Sequence, residues 1–228
     1  MPTAIVTGGA IRIGRAMALH LAGKGFNIAL LYHSSGVASE ETIQEIQSLG
    51  VRCRGYPGDL RKLEEAESLI DKVLQEFDDV ELQVNSAANF IQENIEQTGL
   101  ETLVDTLHLN LMAPYLLMRE YKRRVNKGLI VNILDERVAR TVPTFAAYSV
   151  SKVALQHLTE LAAVEWGETV RVNGIAPGLI LPPEGAPPGY MEKENVRNQG
   201  TLDDLLKALD SLMENKHVNG ETLFVTAT

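Results

Sequence analysis

Seven short strand-like runs recur along the chain, at 3–7, 26–32, 51–56, 80–85, 129–134, 170–175 and 222–226. Each has the length of a strand, and 3–7 and 129–134 have the apolar content of a buried one. The stretches between them carry helical spacing instead, at 15–24, 37–49, 61–77, 99–124, 145–166 and 201–215. In the longest, Leu100, Leu103, Val104, Leu107 and Leu111 form one apolar stripe, and Asn110 interrupts it near its edge. A polar group there needs a partner, either as a buried structural amide or as part of a polar relay. Strand and helix alternate from end to end, which predicts an α/β fold: a doubly wound parallel sheet of about seven strands with helices on both faces. One domain spanning 1–228 is expected. The pattern breaks only at 177–190, which holds five of the nine prolines and three glycines. This segment, extended to residue 200, reads as a substrate lid or else as a plain connector.

Composition narrows the partners. With 21 Lys and Arg against 30 Asp and Glu, the formal charge is −9. That gives no basic field for nucleic acid or an anionic membrane surface, so neither partner is expected. Cys53 is the only cysteine, so no internal disulfide is possible, and a small core residue is the simplest reading of it. No signal-like start or membrane-length apolar run is present, and a soluble, cytoplasmic protein is expected.

The chemistry-bearing residues sit at the carboxyl ends of the strands. After the first strand comes Gly8-Gly-Ala-Ile-Arg-Ile-Gly14, followed directly by a helix. Glycines let backbone approach a pyrophosphate there, and a helix N-terminus supplies free N–H groups, so Gly8, Arg12, Ile13 and Gly14 are candidate dinucleotide contacts. An ordinary strand-to-helix loop is the alternative. The second strand ends in His33, Ser34 and Ser35, where a carboxylate for the ribose 2′-hydroxyl of NAD would normally stand. Hydroxyls in that place, with the Arg12 guanidinium nearby, favour the 2′-phosphate of NADP(H); a solvated Arg12 is the alternative. Asp59, followed by Leu60, either approaches the adenine amino group or caps the next helix. Asn85 and Ala87 follow the fourth strand among small residues that would let a cofactor lie against backbone.

Asp135 stands at the end of the fifth strand, and Tyr148 and Lys152 lie four apart on one helix face. An ammonium beside a phenol favours phenolate and lowers a pKa that starts near about 10, which would make Tyr148 a proton donor near neutrality.

Together, Thr7 to Gly14, Asp59, Asn85-Ser-Ala87, Asn110, Tyr148-x-x-x-Lys152 and Pro177-Gly178 resemble the short-chain dehydrogenase/reductase family across nearly the whole chain. The resemblance implies a Rossmann-type sheet, a nicotinamide cofactor, Tyr148 as proton donor and Lys152 on the ribose. It implies that Asn110 holds a water linked to Lys152, that Pro177 and Gly178 contact the cofactor, and that the chain forms a homotetramer or homodimer. Arg12 in place of the middle glycine, Asp135 in place of serine, and the His33-x-Ser35 pair resemble the pteridine reductase branch, including the bacterial dihydromonapterin/dihydrofolate reductases. In that branch an aromatic residue, here Phe90, stacks on the pterin; a core phenylalanine is the bland alternative. An ionised aspartate would repel a carbonyl oxygen gaining charge but would accept hydrogen bonds from pterin N–H groups. The expected activity is therefore NADPH-dependent reduction of a pterin-type small molecule, with Asp135, Tyr148, Lys152 and Asn110 in the catalytic relay. A carbonyl reductase of a 3-oxoacyl thioester or small ketone, and a non-catalytic NADP(H) sensor, are the alternatives.

Overall fold

The computed structural model describes residues 1–33, 36–182, 185–187, 189–193 and 200–226. Seven parallel strands form one sheet: β1 (Thr3–Thr7), β2 (Asn27–Tyr32), β3 (Cys53–Pro57), β4 (Val80–Asn85), β5 (Gly128–Ile133), β6 (Val170–Pro177) and β7 (Thr222–Val225). Their order is β3-β2-β1-β4-β5-β6-β7. The helices are α1 (Arg12–Gly23), α2 (Gly36–Ser48), α3 (Leu63–Leu74), α4 (Leu100–Leu107), α5 (Ala113–Arg124), α6 (Ala146–Trp166), the short α7 (Tyr190–Lys193) and α8 (Leu202–Glu214). This is the Rossmann-type single domain that the alternating pattern predicts.

Strand periodicity divides the core between the two faces of the sheet. Ala4, Val6, Ile28 and Leu30 pack with Met17, Leu21 and Leu205 against α1 and α8. Ile5, Ala29 and Leu31 point the other way, to Leu69, Val73, Leu117 and Met118 on α3 and α5. The strand order reverses direction between β1 and β4, which leaves a crevice beyond their carboxyl ends.

Two local differences from the sequence pattern have physical causes. The helix expected over 61–77 begins only at Leu63, with Lys62 at its N-cap. Asp59 therefore does not cap it; its carboxylate instead accepts the Arg61 backbone N–H at 3.0 Å. The helix expected over 99–124 is divided by one π-helical turn, His108–Met112, centred on Asn110. Such turns insert an extra residue and mark places where a helix is re-aimed for a contact. The contact here is Asn110 itself, described below. At the other extreme, α8 starts where its sequence predicts, because Thr201 and Asp204 complete a capping box.

Candidate active site

A cleft of about 1490 Å³ opens at the carboxyl ends of the strands. Of the residues expected to bind a cofactor or substrate, Gly8, Arg12, Ile13, Gly14, His33, Asp59, Leu60, Ala87, Phe90, Asp135, Tyr148, Lys152, Pro177 and Gly178 all line it. Ser34 and Ser35 lie outside the described residues. Asn85 and Asn110 do not line the cleft.

The end of the cleft at the glycine-rich turn is made of backbone. Gly8 adopts φ +63, a left-handed conformation, and a Cβ there would stand 2.9 Å from the Ala87 Cα. A Cβ on Gly14 would fall inside contact distance of the Gly8 carbonyl. The floor of the cleft is thus closed to even a methyl group, as a pyrophosphate cradle requires. Thr7 Oγ1 accepts the N–H groups of Ser86 and Ala87, each at 3.0 Å, and ties the β1 turn to the β4 turn. Ile11 at the N-cap of α1 provides no side-chain hydrogen bond, so the first-turn N–H groups are not capped from within. Arg12 also has a left-handed backbone, φ +53, at the position that resembles a glycine. A non-glycine residue held there stores of order 1–3 kcal/mol of strain, which marks a residue kept for its side chain. Its guanidinium donates to the Pro182 carbonyl at 2.8 Å, so it reaches into the proline-rich segment. Asp59 is held by Arg61, whose guanidinium lowers its carboxyl to about 2; His33 stands 3.7 Å from the same carboxylate.

The other end is made of side chains. Tyr148 Oη donates to Asp135 Oδ2 at 2.9 Å. Lys152 Nζ donates to the Ile133 carbonyl at 2.7 Å and lies 5.7 Å from the Tyr148 ring centroid. Burial lowers Lys152 to about 8. Tyr148 is pushed well above its ordinary value, first by burial and then by the Asp135 charge. This corrects the expectation that Lys152 makes the phenol acidic: in the protein alone the carboxylate is its nearer neighbour and favours the neutral phenol.

Two of the asparagines expected at the site are buried and hydrogen-bonded within the protein. Asn110 is fully buried; its Oδ1 accepts the Asn89 N–H at 3.0 Å, and its Nδ2 donates to the Asn89 carbonyl and Ser151 Oγ, each at 3.2 Å. Its side chain therefore pins the loop after β4 to α6, one residue from Lys152. Asn85, expected at the cofactor, accepts from Gln83 and donates to Asn132 Oδ1 at 2.8 Å. Asn132 continues to Thr159 Oγ1 at 2.9 Å, forming a buried amide ladder beneath the site.

Residues 2–187 match the short chain dehydrogenase family. The chain belongs to that family. Among its relatives, an uncharacterized oxidoreductase of Thermotoga maritima is 30% identical over 95% of this chain and 84% of its own length. A 3-oxoacyl-(acyl-carrier-protein) reductase, FabG, of Staphylococcus epidermidis is 29% identical over 78% of this chain and 75% of its own. The crystal structure of FolM alternative dihydrofolate reductase 1 from Brucella suis in complex with NADP superposes with a TM-score of 0.92, at 27% identity, over 99% of this chain and 93% of that one. This short-chain dehydrogenase is thus an oxidoreductase by family.

Its reacting end contains two residues that the sequence did not mark. Arg137 Nη1 lies 3.0 and 3.1 Å from the two oxygens of Asp135. Phe145 stacks on Phe90, with centroids 4.3 Å apart and planes 19° from parallel. Phe90 also meets the Tyr148 ring edge-on at 4.7 Å, and it is 47% exposed, so it is not a core residue. The Asp-x-Arg spacing, which allows a turn closed by the aspartate, is the signal in the sequence that could have found Arg137.

Proposed function

We propose that this oxidoreductase uses NADP(H) to reduce a pterin-type ring, of the dihydrobiopterin, dihydromonapterin or dihydrofolate class. The observation that carries the reading is the 2.9 Å hydrogen bond from Tyr148 Oη to Asp135 Oδ2. It puts a carboxylate in the place where a neutral hydroxyl would serve a carbonyl substrate better. The high structural likeness to a dihydrofolate reductase of the same family supports it.

The cleft fits the cofactor on its own terms. Gly8 and Gly14 leave bare backbone where a pyrophosphate would lie, and Arg12 and His33 line the same cleft for a 2′-phosphate. When bound, NADPH supplies a hydride to the carbon of a ring C=N bond. Tyr148 Oη gives the proton to the ring nitrogen, and the bond becomes CH–NH. Asp135 holds the phenol in line through Oδ2, and Lys152, one helical turn further on, provides positive charge in a dry surrounding. Phe90, half exposed beside Tyr148, offers a flat face for the ring. Ile180, Leu181 and Tyr190 line the cleft from the proline-rich segment, which we take as the substrate lid. Val150, Val153, Leu161 and Val164 on α6 leave an exposed apolar stripe that suits a homotetramer or homodimer, measurable by light scattering.

Reduction of a carbonyl is the second reading. It is favoured by the 3-oxoacyl reductase relative and by the contacts of Asp135, whose oxygens are already engaged by Arg137 and Tyr148 and need no substrate N–H. NADPH oxidation measured with dihydromonapterin, dihydrobiopterin and dihydrofolate against an acetoacetyl thioester separates the two. Turnover of the pterins is expected; turnover of the thioester alone overturns the pterin reading.

A further inference from the structure

The carboxylate beside Tyr148 creates an electrostatic difficulty. When the phenol has given up its proton, two anions face each other across one hydrogen-bond length. Lys152 relieves this only in part. Its Nζ is committed to the Ile133 carbonyl, and burial lowers its pKa to about 8, so it does not guarantee a positive charge in mildly alkaline solution.

Arg137 brings a guanidinium to the same carboxylate and is fixed from two sides. Asp135 Oδ1 accepts the Arg137 backbone N–H at 2.9 Å, which folds the turn so that the arginine lies back over the carboxylate. Nη1 then spans both oxygens, including the Oδ2 that receives the Tyr148 hydroxyl. From the other side, the guanidinium carbon stands 4.7 Å from the Phe145 ring centroid and 5.2 Å from that of Phe90. The loop after β4, the turn after β5 and the start of α6 therefore meet on one guanidinium. Its Nε is buried with no hydrogen-bond partner, which a side chain serving only as a surface charge would avoid.

We propose that Arg137 is a positioning residue that makes an aspartate workable next to the proton donor: it neutralises Asp135, aims Oδ2 at Tyr148 and offsets the phenolate that proton transfer leaves. The proposal rests on Tyr148 as the proton donor and is independent of which substrate is reduced. Its signature is coupling, because a residue that matters through Asp135 should matter little once Asp135 is gone.

The experiment compares wild type, Arg137→Gln, Asp135→Ser and the double variant, using whichever of dihydromonapterin and the acetoacetyl thioester the wild type reduces. The choice of substrate tests the pterin reading; the cycle tests Arg137. In the Asp135 enzyme, Arg137→Gln should lower kcat by at least about tenfold while KM and NADPH affinity change less than about threefold. In the Asp135→Ser background the same change should cost less than about twofold. Arg137→Lys, which keeps the charge, should recover part of kcat and stands in if the glutamine variant does not fold. Equal losses of kcat in both backgrounds, or a loss shared by NADPH affinity, would overturn the proposal.

Discussion

The two ends of the cleft are built from different materials. The end at the glycine-rich turn is backbone: Gly8 and Gly14 leave no room for a Cβ, and the turns after the neighbouring strands β1 and β4 are tied through Thr7 Oγ1. The reacting end is side chain: Asp135, Arg137, Phe145, Tyr148 and Lys152 converge on Phe90 and on one another from separate segments. A backbone cradle is sensitive to volume, while a constellation of side chains is sensitive to charge and proton position. Substitutions at the two ends should therefore fail in different ways.

The largest effect is expected from Tyr148→Phe, which keeps the ring and removes the proton. It should lower kcat by about 10²–10⁴ while NADPH affinity stays within about threefold. Loss of cofactor binding to the same degree would mean that the two ends are not separable. Arg12→Ala should weaken NADPH binding by about 1.5–3 kcal/mol and leave NADH unchanged, read by fluorescence titration; equal loss for both cofactors refutes the 2′-phosphate role. Gly14→Ala tests volume at the same end, and a destabilisation of about 1–3 kcal/mol in urea unfolding is expected, accompanied by weaker cofactor binding. Asn85→Ala should cost a similar amount of stability, about 1–3 kcal/mol, because Asn132 loses its partner in the buried ladder, with NADPH affinity unchanged within about twofold. A selective loss of NADPH affinity would return Asn85 to the cofactor site.

The smallest effect concerns Lys152 and pH. Its pKa is lowered by burial from 10.5 to about 8. The unfolded chain thus binds this proton more tightly than the folded one. The penalty for a buried ammonium is complete below about pH 8 and fades as pH rises toward about 10.5, so this group makes the cofactor-free protein more stable across that window. Lys152→Met removes the penalty. The stability advantage of the variant, measured by urea unfolding, should shrink as pH is raised through that window; an advantage independent of pH would show that Lys152 is not buried as a cation.

Local signals carried the nucleotide end. The glycines, Arg12 and His33 lie within a few residues of strand ends that periodicity locates, and Asp59 and Ala87 follow from the same rule. Even Asp135, Tyr148 and Lys152 were legible, because strand end and helical spacing place them. Asn110 was legible as a buried structural amide or a relay member, and Asn85 only as a residue at a strand end; the hydrogen-bond partners of neither were legible. Their partners, Asn132 and Ser151, are 47 and 41 positions away. The π turn at Asn110 is equally invisible, since its spacing still reads as one continuous helix.

The sequence by itself determined the sheet, its two-faced core and the family, because hydrophobic periodicity and turn chemistry act within a few residues and repeat along the chain. Tertiary structure alone decided what Asp135 touches. Its oxygens meet a guanidinium that lies against two phenyl rings and a phenol from another element. Electrostatic interactions depend on distances between folded segments, and no pattern of residue types fixes those distances before the sheet has brought the segments together.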